Sequence, residues 1–158
     1  MLSEELSVAA LPLFEGLSVE DMEMIAPLFR RVTFPSGARV FSKGEEASDL
    51  YVLESGEVGI CVPLHDGGYM DVATVQRGGI WGWSAALGRP VYTSAAICVT
   101  DVRVIATRGI ELRRLMRKDN RLGVLLLDRM SQVVAHRFES FRAQLTRLLR
   151  TEDEADRS

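Results

Sequence analysis

The sequence predicts a mainly β protein with flanking α-helices, and three observations lead to this prediction. Between residues 31 and 107, short apolar and β-branched stretches alternate with turns that contain Gly, Asp or Pro. Many short strands at such intervals are typical of a sandwich, roll or barrel. Both ends of the chain instead carry apolar residues at helical spacing. The 158 residues suffice for one domain with its own core.

The predicted single domain, residues 1–158, has a helical lead-in over residues 1–30. Ser18 and Asp21 have the spacing of a capping box, in which each side chain binds the backbone N–H of the other residue. Pro27 removes a backbone donor, so the helix is expected to kink or stop near it. The apolar residues that we expect to pack on the β body are Leu17, Met22, Ile25, Leu28 and Phe29.

The β region covers residues 31–107, and turns at glycines, prolines and aspartates separate its strands. The last strand is expected to break near Thr100 and Asp101. The predicted strands are 31–34, 38–41, 50–54, 58–62, 69–75 and 94–107. This pattern does not determine the order of the strands in the sheets.

Two helices are predicted after the β region, a short one over 109–117 and a long one over 120–150. The long helix has an apolar stripe of the 4-3 type, which is typical of a contact between two helices. This stripe is formed by Leu127, Val134, Phe138, Phe141, Leu145 and Leu148. We therefore expect a homodimer through these residues. The acidic tail, residues 151–158, has the composition of a disordered segment.

Charge is divided unevenly along the chain. Residues 1–102 carry a net charge of −8, residues 103–150 carry +8, and residues 151–158 carry −3. A basic helix on an acidic body indicates either the solvated flank of a self-associating helix or a surface for nucleic acid, anionic lipid or an acidic partner. Both interpretations remain open at this point, and the second of them includes a protein partner.

One spacing of small and apolar residues resembles a known family. It includes Gly37, Gly44 and Gly56, with apolar pairs at 40–41 and 50–51 and a hairpin turn at 54–57. This spacing resembles the opening strands of the cyclic nucleotide-binding domain family, the sensor module of catabolite activators, cAMP-dependent kinases and gated channels. The resemblance covers roughly residues 10–145. It implies a jelly-roll β-roll, also called a double-stranded β-helix, with N-terminal helices and a long C-terminal helix.

The resemblance also implies a phosphate-binding cassette between residues 79 and 100. In the family, a Gly-Glu turn leads into a short helix, and an Arg follows nine residues after the Glu. The Glu accepts a hydrogen bond from the ribose, and the Arg pairs with the cyclic phosphate. Here Trp83 occupies the Glu position and Tyr92 the Arg position, so neither charged partner is present.

We therefore expect cAMP and cGMP to bind weakly or not at all, and another small anionic ligand, or none, remains open. Arg89 is either a substitute anion partner or a solvated surface residue. The backbone amides at the start of the short helix remain candidate donors to an anion. The predicted ligand-binding residues are Gly82, Trp83, Ser84, Ala85, Ala86, Arg89, Tyr92 and Thr93.

Several classes of function lack the residues that they need. His65 and His136 are distant in sequence, and no catalytic triad or zinc spacing is present. Cys61 and Cys98 lie in apolar strands and are expected to be buried free thiols. No apolar run reaches the ~20 residues of a membrane span, and the acidic residues near Met1 do not match a signal peptide. We expect a cytoplasmic protein without catalytic residues, metal or a certain cofactor.

The sequence favours a non-enzymatic sensor or regulatory module that signals through its C-terminal helix. The alternative is a ligand-free scaffold that docks an acidic partner or an anionic membrane through the basic helix. Sequence-specific DNA binding by this chain is not expected, because a helix-turn-helix requires two further helices, and only eight residues follow Arg150.

Overall fold

The structure is a computed structural model that describes residues 8–157, apart from the side chains at positions 137, 138, 140, 141 and 144. The part of the predicted lead-in over residues 1–7 lies outside the described residues. So do the side chains of Phe138 and Phe141, which belong to the predicted dimer stripe.

Within the described residues, eight strands form two four-stranded antiparallel sheets, as the β-roll prediction requires. The first sheet has the strand order β1-β8-β3-β6, and the second has the order β2-β7-β4-β5. The strands are β1 (Phe29–Phe34), β2 (Arg39–Phe41), β3 (Asp49–Ser55), β4 (Val58–Pro63), β5 (Tyr69–Val75), β6 (Ile80–Trp81), β7 (Ala95–Cys98) and β8 (Val102–Arg108).

The predicted strands agree with these bounds to within one or two residues at each end. The break near Thr100 and Asp101 is confirmed, because it separates β7 from β8. Gly37, Gly44 and Gly56 all have positive φ angles, as turns of this kind require. Strand β6 was not predicted, because two residues are too short to carry a periodic pattern.

The lead-in contains two 3₁₀ turns, Pro12–Phe14 and Ala26–Leu28, on either side of helix α1 (Val19–Ile25). The predicted capping box of Ser18 and Asp21 is present in both directions. Helix α1 ends directly before the turn that contains Pro27, as predicted.

Two apolar cores lie on opposite faces of the first sheet. Along β3, Leu50 and Val52 point to one core, while Tyr51 and Leu53 point to the other. The helical core joins this sheet to the helices and to the lead-in. The roll core lies between the two sheets. This sheet is therefore covered on both faces, which explains the nearly continuous apolar run in β3.

Three helices follow the lead-in: α2 (Trp83–Ala86), α3 (Gly109–Lys118) and α4 (Asn120–Asp156). The prediction that the long helix ends near Arg150 is wrong, because α4 continues for six residues into the predicted tail. Adding a residue to an existing helix costs little compared with starting one. Glu, Ala and Asp therefore extend α4 here, although their composition resembles that of a disordered segment.

The first part of α4 is fixed to the body. The Asp119 carboxylate accepts a hydrogen bond from the Leu122 amide and caps the helix. Arg121 forms an ion pair with the buried Asp21 of α1, and the Arg129 side chain donates to the Glu15 carbonyl oxygen over 2.8 Å. The residues of α4 that pack into the helical core are Leu122, Leu126, Met130 and Val133.

Candidate functional site

The predicted cassette begins at a tight turn between β6 and α2. Gly82 has a φ of 81°, and a Cβ atom at this position would lie 2.6 Å from the Asp49 carbonyl oxygen. Only glycine combines this backbone conformation with so close an approach. The segment then runs through α2 and an exposed loop to a bridge between Val91 and Glu46, and β7 follows.

Tyr92 is an integral part of the roll core. It is only 4% exposed, and its ring stacks on Phe41 with a centroid separation of 3.6 Å. Its hydroxyl donates to the Asp49 carbonyl oxygen over 2.7 Å and accepts from the Asp49 amide over 3.0 Å. The side chain that is predicted to stand in place of the family arginine is therefore engaged with the protein itself.

Further aromatic rings continue from this pair through the interior of the roll. Phe41 also contacts Tyr51, and Tyr51 stacks on Trp81 at 5.3 Å between ring centroids. Burial raises the pKa of the Tyr51 and Tyr92 hydroxyls, so both stay neutral at physiological pH. The indole nitrogen of Trp81 is buried and has no hydrogen-bond partner among the described residues.

The roll interior thus offers little to a phosphate group. Among the described residues, the buried polar or charged side chains belong to Asp21, Glu54, Ser84 and Thr107, and none of them is a cation. Glu54 is paired with Arg31 through two hydrogen bonds of 2.8 and 3.1 Å. Without a buried cation, the interior has the character of an ordinary aromatic core.

Trp83 does not join this aromatic group. It is half-buried and packs against the helical core, on the other face of the first sheet. Ser84, Ala85 and Ala86 are buried within α2. The Ala85 amide donates to the Gly82 carbonyl oxygen over 3.1 Å, so this backbone donor is already used.

The remaining two predicted residues, Arg89 and Thr93, are exposed. The Arg89 amide donates to the Ser84 carbonyl oxygen over 2.8 Å and closes the loop after α2. The structure therefore places the eight predicted residues in one continuous segment, but it turns Tyr92 and Trp83 toward different cores. That these residues bind a ligand stays a prediction.

A cleft of about 560 Å³, lined by none of the eight predicted ligand-binding residues, lies between the roll and α4. The end of β5 and the turn that follows it form one side, and α4 forms the other. Pro12 and Glu15 from the lead-in close one end. Sequence reasoning missed this cleft, because its residues come from three segments that are distant along the chain.

The apolar stripe of α4 is exposed wherever its side chains are described. Leu127 is 46% exposed, Val134 is 39%, Leu145 is 44% and Leu148 is 63%. Beyond Val133, no described side chain of α4 packs into either core. The helix therefore leaves the body with an apolar face uncovered.

Three further features concern metal ligands, thiols and membrane spans. Within residues 8–157, no three His, Cys, Asp or Glu side chains are grouped as a metal ion would require. Cys61 and Cys98 are buried free thiols, as predicted, and burial raises the pKa of both. None of the helices in the described part of the chain combines the length and apolar character of a membrane span.

Comparison with protein families assigns this fold. The model of the cyclic nucleotide-binding domain matches residues 31–119, which is more than half of the chain. The chain belongs to the cyclic nucleotide-binding domain family. The resemblance inferred from the glycine spacing is therefore confirmed, and so is the jelly-roll β-roll with flanking helices.

Two curated proteins are similar to this chain in sequence. The chain is 29% identical over 142 residues to the cyclic AMP receptor protein of Thermus thermophilus, which corresponds to 90% of this chain and 59% of that protein. It is 27% identical over 136 residues to Glutaminase 1 of Bradyrhizobium diazoefficiens, which corresponds to 85% of this chain and 21% of the glutaminase. The chain thus spans less than two thirds of each of these relatives.

A solved structure of similar size gives a closer match in length. The crystal structure of a putative cyclic nucleotide-binding protein from Geobacter metallireducens superimposes with a TM-score of 0.74 at 28% identity. The match covers 87% of this chain and 98% of the other. This chain is therefore a cyclic nucleotide-binding domain of the regulatory and sensor type, and its ligand chemistry must be argued from its own residues.

The residues that fill the roll of this family member were not among the predicted site residues. Phe41 and Tyr51 were assigned only to strands, and Trp81 was placed in the cassette segment without being named as a ligand-binding residue. A sequence signal was nevertheless available, because a strand interior with three large aromatic rings plus Tyr92 leaves less room for a ligand. Which rings meet depends on the pairing of β3 with β6, which the pattern does not determine.

Proposed function

We propose that this chain is a non-enzymatic regulatory module in which the cyclic-nucleotide pocket is closed by aromatic side chains. It acts in the cytoplasm as a homodimer and passes signals through α4. The observation that carries the proposal is the burial of Tyr92, with its ring on Phe41 and its hydroxyl on the Asp49 backbone.

The contacts that this chain lacks would supply a large part of the free energy of ordinary ligand binding. A charge-assisted hydrogen bond contributes about 1.5–3 kcal/mol, and micromolar binding corresponds to about 8 kcal/mol. Loss of the arginine–phosphate pair and of the ribose acceptor removes a substantial part of that energy. A nucleotide would also have to displace Tyr92 from its stacking contact and from two hydrogen bonds.

The uncovered stripe of α4 supports the homodimer. Four apolar side chains at heptad positions are 39–63% exposed, although such residues are usually buried. A second copy offers the same stripe, and pairing would bury both at once. Signalling through α4 follows from its position, because its first turns pack on the roll and its later turns would contact the partner.

A thermal-shift screen with cAMP and cGMP tests the closed pocket. A ligand present at about a thousand times its Kd stabilises a protein by about 4 kcal/mol, so low-micromolar binding would be evident at millimolar ligand. We expect no shift for this chain. The Thermus cyclic AMP receptor protein, assayed in parallel, is the positive control, and a comparable shift for this chain would contradict the proposal.

A second function is favoured by the charge on the projecting part of α4. Arg142, Arg147 and Arg150 are exposed there, and such a cluster is suited to an acidic partner or an anionic membrane. In this case the roll is a ligand-free scaffold. Co-sedimentation with phosphatidylserine vesicles distinguishes the two functions, since only the scaffold function predicts binding that is lost when these three arginines become glutamines.

A further inference from the structure

The cleft between the roll and α4 has the construction of a binding site for a small molecule. Its volume of about 560 Å³ falls within the range of about 300–1,000 Å³ that is usual for ligand pockets. Of the cassette, only its first residue, Gly79, lines the cleft. The aromatic residues that close the roll interior are not among the lining residues, so they do not fill it.

The shape of the cleft depends on a glycine and on an anchored arginine. Gly78, in the turn after β5, has a φ of 83°, and a Cβ atom there would lie 2.8 Å from Pro12. The turn can therefore approach the lead-in closely and form one wall. Arg129 forms part of another wall, where its Nε donates to the Glu15 carbonyl oxygen over 2.8 Å.

The charged lining favours an anion. Arg77 and Arg129 contribute two guanidinium groups, and Glu15 contributes one carboxylate. The exposed Asp128 carboxylate also lies 3.6 Å from the Arg129 guanidinium. Arg77 is exposed on the turn and forms no ion pair with another described residue. A guanidinium carries five N–H donors in a planar fork, which suits carboxylate and phosphate oxygens. Thr74 and Gln132 add polar groups along the walls.

The same cleft also has apolar surface and a strand edge. Pro12, Val75 and Val133 line it with hydrocarbon. Strand β5 is an edge strand of its sheet, and such strands carry unpaired backbone donors and acceptors. A ligand with an anionic head and an apolar body would use both kinds of surface.

We propose that this cleft binds a small organic anion, a carboxylate or a phosphate monoester carried on an apolar body. The anionic group lies between Arg77 and Arg129, and the body packs against Val75 and Val133. This inference goes beyond the proposed function and does not depend on it, because neither the predicted ligand-binding residues nor the aromatic rings of the roll line the cleft.

The position on α4 connects such a ligand to the rest of the molecule. At about 100° per residue, Arg129, Gln132 and His136 lie on the face opposite Leu127 and Val134. A ligand in the cleft therefore leaves the apolar stripe accessible. It contacts the helix at the point where α4 leaves the body, where a change in contacts alters the direction of the projecting part.

The test is an NMR titration of the full chain, labelled with ¹⁵N, using phenyl phosphate and benzoate as probes. Benzyl alcohol is the neutral control with a similar body. We expect saturable shifts of the Thr74, Gln76 and Gln132 amides with at least one anion, at a Kd of about 1 mM or tighter. The anion that binds more tightly distinguishes a phosphate ligand from a carboxylate ligand.

Two variants and one control locate the site. Arg77→Gln removes an exposed cation and should weaken binding about tenfold, as expected for a lost charge-assisted hydrogen bond. Thr74→Trp places a large ring in the cleft and should abolish binding. Arg114→Gln changes an exposed arginine of α3 outside the cleft and should leave the affinity unchanged.

Three results would overturn the inference. The first is no saturable shift with either anion. The second is equal binding of benzyl alcohol, because the guanidinium groups then play no part. The third is unchanged affinity in both Arg77→Gln and Thr74→Trp, which would place the probes elsewhere. Each of these readouts is independent of cAMP binding and of dimerisation, so this inference and the proposed function can fail separately.

Discussion

Tyr92 has a structural role that its position in the cassette does not suggest. The sequence predicts that it replaces an arginine that binds the ligand, but in the structure this side chain packs within the fold. Its hydroxyl satisfies both backbone groups of Asp49, and its ring covers Phe41. A buried polar group that loses its partner is costly, so this residue is expected to contribute measurably to stability.

Tyr92→Phe is expected to lower the free energy of unfolding by about 1–3 kcal/mol, because it leaves the Asp49 amide and carbonyl without a partner. Urea denaturation measures the effect. Tyr69→Phe is the matched control, since Tyr69 is 43% exposed and its ring remains available to Arg39. Equal stability of the two variants would mean that the hydroxyl bonds of Tyr92 add nothing.

At the scale of elements, α4 is fixed to the body over its first turns and projects from the body over its later turns. Its first turns are held by the Asp119 cap, by Arg121 on Asp21 and by Arg129 on Glu15. Its later turns carry an uncovered stripe. One helix is therefore fixed at one end and available for pairing at the other.

The ion pair of Asp21 and Arg121 predicts a pH dependence. The hydrogen bond from Arg121 holds the pKa of the Asp21 carboxyl below its usual value. A lowered folded-state pKa gives stability that is fully present above the unfolded value, near pH 4, and is lost as the pH falls. Asp21→Asn should therefore destabilise the protein at neutral pH and progressively less below about pH 4.

Urea denaturation of both proteins at several pH values measures this difference. Asp153→Asn is the control, because Asp153 is an exposed acidic residue near the end of α4, more than thirty residues along the helix from Arg121. A stability difference between wild type and Asp21→Asn that stays constant from neutral to acid pH would contradict the role of the ionised carboxylate.

The stripe of α4 predicts the effect of added charge on association. Replacing Phe138 and Phe141, or Val134 and Leu145, with Asp should give monomers, because each variant places charges at the helix contact. Light scattering measures the mass. Ala143→Asp is the control, since Ala143 lies on the opposite face of the helix. A wild-type chain that is monomeric at high micromolar concentration would contradict the proposed dimer.

At the scale of the whole molecule, the charge distribution suggests nucleic acid, although the described residues include no helix-turn-helix after α4. The net charge of +8 lies in residues 103–150, and acidic residues follow on the same helix. We expect any DNA binding to be independent of sequence and to fall steeply with salt. Electrophoretic or fluorescence titrations at two salt concentrations test this, and salt-resistant binding to one particular duplex would contradict it.

Features that depend on neighbouring residues could be predicted from the sequence, whereas features that depend on contacts between distant residues could not. The bounds of β5 and the capping box of Ser18 follow from neighbouring residues, and both were predicted correctly. The continuation of α4 to Asp156 was missed, because charged composition alone does not reveal an existing helix that can extend. The separate directions of Trp83 and Tyr92 depend on packing between distant strands, which a linear pattern does not contain.

The most direct test of the account is calorimetric titration of cAMP into the wild-type chain and into the variant with Trp83→Glu and Tyr92→Arg. The account predicts no saturable heat for the wild type. It predicts higher affinity for the variant, which regains both charged partners but loses stability through the altered core. Low-micromolar or tighter binding of cAMP to the wild type, lost in Arg89→Ala, would contradict the account and would assign the phosphate to Arg89.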